Sequence, residues 1–157
     1  MNFDKLIVQF GIYLSTYIVC LASGFLPFVN AEVFLVLVSA ITPRHRAPFV
    51  VLIATFGQMT AKAIIYLAGR GALKLPLKKY EQKLDTIIQK YGKKRIASNL
   101  FIFLSAFTGL PPFYIISILA GVIKFKFMSF LLYGFLGRLI RFSLVVFFPQ
   151  LFKEIFK

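Results

Sequence analysis

Acidic residues, cysteine and histidine are all scarce in this chain: five Asp and Glu stand against nineteen Lys and Arg, with one Cys and one His. Cys20, alone and inside an apolar run, excludes an internal disulfide, and His45, alone in a loop, excludes a histidine-rich metal site. Glu32 is the one carboxylate within a long apolar run, so general acid-base chemistry there lacks a second acid, and neither Ser105 nor Ser117 has a histidine base nearby in sequence. The chain is therefore expected not to be an enzyme, with no catalytic residue, no metal and no cofactor.

What the chain has in abundance is apolar surface. Hydrophobic residues fill 59% of the 157 positions and Phe alone occupies 20. The runs are long enough to cross a hydrocarbon core, which takes about 20 residues of helix. Roughly a third of a small domain's accessible surface stays outside on folding, too much for a soluble chain of this composition. An all-α integral membrane protein is expected, a single membrane domain over residues 1–157. The net charge of +14 would suggest nucleic acid in a soluble protein, but here the cations cluster between apolar runs, as the positive-inside rule and anionic lipid both favour. No nucleic acid is expected as a partner. The N-terminal MNFDK is weakly basic and no small-x-small site ends the first run, so a cleaved signal is not expected.

In chain order, Leu6 to Ser23 reads as a first spanning helix. Gly24 to Ile41 follows with almost no polar connection; Gly24 and Pro27 are expected to break the helix and Asn30 to cap the next one. An ionisable residue at membrane depth costs roughly 3 kcal/mol, which makes Glu32 a functional candidate. Pro48 to Leu67 is the clearest span. Gln58, Lys62 and Tyr66 recur every four residues on one face that Arg70 continues to the membrane edge, and Gly57 with Ala61 permits close helix approach. Lys62 is too deep to snorkel fully, which makes Glu32 its natural partner; the alternative is a hydrated Lys62 in a wet cleft.

Residues 70–99 hold nine of the nineteen basic residues and read as a cytoplasmic loop. Within it Tyr80, Leu84, Ile87, Ile88 and Tyr91 have the spacing of an amphipathic helix, started after Pro76 and stopped at Gly92, that would lie on anionic headgroups; the alternative is a solvated connector. Leu100 to Ile123 is apolar but interrupted at Gly109, Pro111 and Pro112, and GLPPF there echoes GFLPF at Gly24 to Phe28. Two proline-broken segments in corresponding halves point to an inverted repeat with the site where the broken helices meet. Phe127 to Pro149 is the last span. It carries Arg138 and Arg141 three residues apart, on a face that must look into protein or water. Guanidinium suits phosphate, so a phosphate headgroup is the obvious ligand; alternatively one arginine pairs with Glu32 or with backbone carbonyls to hold the helices.

The expected topology is three spanning helices alternating with an outer and an inner re-entrant segment, which leaves Arg44, His45 and Arg46 outside against the charge rule. If both broken segments cross fully, a five-helix bundle results.

These stretches together resemble the DedA/VTT (SNARE-associated) membrane proteins over a core of about residues 24–142. The likeness rests on Pro27 with Glu32; on Gly57, Tyr66, Gly69 and Arg70 of GQMTAKAIIYLAGR; on Ser117, Ala120, Gly121, Met128 and Phe130; and on Gly137. The resemblance implies two re-entrant hairpins facing each other in a multi-pass protein of the cell (inner) membrane. It also implies translocation of phospholipid or polyprenyl phosphate by a flippase or scramblase, with proton coupling in several members. Glu32 matches the family's re-entrant acid. Ala106 and Phe113 stand about where many bacterial members have arginines, and Gln58 lies near where a second acid is absent. A lipid transporter is thus expected, with Glu32, Lys62, Arg70, Arg138 and Arg141 along the substrate or proton pathway. The alternative is a lipid-binding or assembly factor that transports nothing. A homo-oligomer is plausible, because three spans leave little room for a lipid path in one chain.

Overall fold

The computed structural model describes residues 3–26, 29–71 and 81–155, and among these there is helix and no strand. In order they form α1 (Phe3–Phe25), α2 (Ala31–Ile41), a 3-10 turn (Arg44–Arg46), α3 (Ala47–Gly69), α4 (Glu81–Tyr91), α5 (Lys93–Ile96), α6 (Asn99–Thr108), α7 (Phe113–Val122) and α8 (Phe127–Ile155). The chain falls into two compact units, Met1–Thr60 with Leu139–Lys157, and Ala61–Arg138.

Among the described residues two helical stretches are long and apolar enough to span a bilayer, Arg44–Gly69 and Phe127–Phe148. They correspond to the second and third expected spans. The first lies in α1, whose described apolar part is the shorter Phe10–Phe25. Large apolar side chains such as Phe10, Ile41, Phe49, Phe56, Leu132 and Phe148 stand exposed. Exposed apolar surface on this scale marks a membrane protein, whose solvent is lipid.

One expectation needs correcting. Gly24 does not break the first helix: α1 runs through it to Phe25, and Gly24 is buried. A glycine only weakens a helix, whereas the residue before a proline is pushed out of the α region, so the chain leaves the helix at Leu26, ahead of Pro27. Pro27 itself lies outside the described residues, as do Pro76 and Tyr80.

In the first unit α1 packs on α2, and Gly57 of α3 lets α1 come close. A Cβ there would sit 2.6 Å from the Tyr17 carbonyl oxygen. Around this crossing Cys20, Leu35, Val50, Val51, Ala54, Phe142 and Val146 make a dry core. Asn30 caps α2 as expected, its side chain accepting from the Glu32 and Val33 amides at 2.9 and 3.4 Å.

In the second unit α6 and α7 contact each other, and the break between them satisfies its own backbone. Gly109 caps α6 in the left-handed region (φ 79°), its amide donating to the Ser105 carbonyl at 2.8 Å. The Leu110 amide donates to Thr108 Oγ1 at 3.1 Å, and Ser105 Oγ donates to the Pro111 carbonyl at 2.7 Å. Pro111 and Pro112 bring no N–H that would need a partner, so irregular backbone is tolerable in an apolar setting. Against α7, α3 ends glycine to glycine: Gly121 lies on the Tyr66 carbonyl and the Arg70 amide, and Gly69 on the Ile118 carbonyl.

Candidate functional site

Each unit holds a cationic centre among apolar helices. In the first, Asn30 starts α2 so that Glu32 falls in its opening turn, where the helix dipole favours a carboxylate. There Arg141 of α8 meets it: Arg141 Nε donates to Glu32 Oε1 at 2.5 Å, and Arg141 Nη2 lies 2.5 Å from the same oxygen. Two nitrogens of one guanidinium thus close on a single carboxylate oxygen, in the short range of charge-assisted bonds. The side chains keep 24% and 33% of their exposure, so a competing anion or proton can reach them.

Sequence spacing points to Lys62 as the partner of Glu32, and the structure corrects this. The ion pair of Glu32 is with Arg141, the alternative in which an arginine takes the acid. In the same unit, Gln58 is buried with its Nε2 donating to Ser23 Oγ at 2.8 Å and its Oε1 without a partner.

In the second unit Lys62 is 4% exposed, with Nζ 6.0 Å from the Tyr114 ring centroid. Arg138, 9% exposed, lays its guanidinium 5.3 Å from the Phe113 ring centroid. Phe113 stacks on Phe130 at 5.8 Å and Phe130 on Tyr66 at 5.0 Å, with the Tyr66 hydroxyl donating to the Phe125 carbonyl. A cation thus sits at the end of a three-ring stack. Arg70 is exposed, just past the end of α3.

A family model described as VTT domain matches residues 26–151. The chain belongs to the VTT-domain family. No match was found among curated proteins or among solved structures. The VTT match takes in both helices long and apolar enough to span a bilayer and all five candidate pathway residues, and it extends beyond the expected core of 24–142 at the C-terminal side. Sequence reasoning missed Ser23, just ahead of the matched stretch, and within it Tyr114 and the engagement of Phe113 with Arg138. Ser23 and Gln58 are 35 residues apart, and no local pattern joins such positions.

Proposed function

We propose that this VTT-domain membrane protein moves a phosphate-bearing lipid between leaflets. The observation that carries the reading is the Glu32–Arg141 ion pair, which joins the opening turn of a half-length helix to a spanning helix. Partly exposed, the pair is exchangeable. A lipid phosphate can take the guanidinium when Glu32 is protonated, and the carboxylate recaptures it on release. Arg138 and Lys62 offer a second phosphate-binding centre in their own unit. The chemistry is binding and release, not catalysis.

The finer architecture belongs to the same proposal. At 1.5 Å per residue α6 and α7 are each about 15 Å long, half of a core of about 30 Å, and they contact each other across a self-satisfied break. We read them as one re-entrant hairpin, and α2 with the end of α1 as its counterpart in an inverted repeat. A multi-pass topology in the cell (inner) membrane follows from this reading, and membrane phospholipid or a polyprenyl phosphate is the substrate class.

The test is translocation of headgroup-labelled lipid in reconstituted liposomes, quenched from outside, for wild type, Glu32→Gln and an imposed pH gradient. Label that becomes quenchable with wild type but not with the variant supports transport, and gradient dependence separates coupled flipping from scrambling. Values equal to empty vesicles for phospholipid and polyprenyl phosphate alike would leave a lipid-binding or assembly role.

A further inference from the structure

Beyond Arg70 the basic stretch after α3 has no part in the transport reading, yet its described half is organised. Lys83, Lys90, Lys93, Lys94 and Arg95 are all exposed, whereas Ile96 is fully buried and anchors α5. The cations alternate with rings. Lys90 Nζ lies 5.6 Å from the Tyr91 ring centroid, Tyr91 lies 5.7 Å from Phe101, and the Arg95 guanidinium lies 6.0 Å from Phe101. Along α4, Lys83, Ile87, Lys90 and Tyr91 fall on one face, and Gln82, Lys83, Thr86 and Ile87 line an open hollow of about 390 Å³. Directly after these cations begins α6, mostly apolar and without a charged residue, with Leu100 exposed in its first turn.

We propose that α4, α5 and the first turn of α6 form a docking surface for anionic phospholipid headgroups. Charge complementarity carries the argument: five exposed cations stand in a stretch whose acids are Glu81 and Asp85. The position of α6 fixes the partner as lipid. An apolar helix opening four residues after Arg95 keeps the cations at the boundary between hydrocarbon and water, where rings and aliphatic stems favour the interface and charged tips reach phosphate. Each such cation strengthens surface attachment roughly fivefold. The inference requires a membrane protein, not a lipid transporter, and stands or falls separately from the transport reading.

The full-length protein tests it. With Cys20→Ser as background, Thr86→Cys is labelled with an environment-sensitive dye and the protein is reconstituted in neutral phosphatidylcholine vesicles or in mixtures with phosphatidylglycerol. Protection of the dye from an aqueous quencher is expected to rise with the anionic fraction and to fall in high salt. Replacing Lys90, Lys93, Lys94 and Arg95 by Gln should abolish the rise, with circular dichroism reporting that the helices are kept. Equal protection in neutral and anionic vesicles would overturn the proposal, and so would an undiminished response in the folded Gln variant. Protection gained only on adding a soluble acidic protein or RNA would assign the surface to another partner and overturn it equally.

Discussion

Arg141 closes both Nε and Nη2 on one carboxylate oxygen of Glu32, a residue 109 positions away in the chain. A contact of this form lacks the two parallel bonds of a two-oxygen fork.

Either single change at this pair is expected to abolish lipid translocation while leaving the protein inserted. The exchange variant Glu32→Arg with Arg141→Glu should recover part of the stability lost by the single variants. A double-mutant cycle on thermal unfolding in detergent should give a coupling on the order of 1 kcal/mol, at the low end for contacting residues because both side chains are partly exposed. Additive effects would show that the pair does not act as a unit.

Gly121→Ala is expected to destabilise the second unit by about 1–3 kcal/mol, because a Cβ there meets the Tyr66 carbonyl and the Arg70 amide, which are backbone and cannot swing aside. Gly11→Ala is the control: nothing lies within 4 Å of its Cβ, and it should be neutral or stabilising by up to about 1 kcal/mol. Unfolding temperatures of the two variants side by side check this.

Asn30→Ala removes the acceptor for two amides at the start of α2 and should cost about 1 kcal/mol, whereas Asn30→Ser keeps most of the cap. Since the same turn carries Glu32, the alanine variant should also slow translocation more than its stability loss explains.

The buried Gln58 separates satisfied from unsatisfied polarity. Ser23→Ala leaves Gln58 Nε2 without its acceptor and should cost about 1–3 kcal/mol. Gln58→Met removes the amide together with its unpartnered Oε1 and should cost less than Ser23→Ala in the same melting assay.

Much of this protein was determined by sequence alone, because the relevant physics is local. Apolar length decided the membrane class. Asn30 announced its own cap, and Gly109 with two prolines forced the α6–α7 break through a left-handed residue and two missing donors. Gly24 misled because glycine permits a break without requiring one, while the residue before Pro27 is sterically barred from continuing. The partner of Glu32 was beyond local reading. Lys62, Arg138 and Arg141 were all candidates, and only the meeting of the opening turn of α2 with the middle of α8 selects Arg141. The landing of Gly121 on α3 and the ring stack under Arg138 were likewise decided by the tertiary structure, since periodicity fixes which face a residue occupies but not which helix will meet that face.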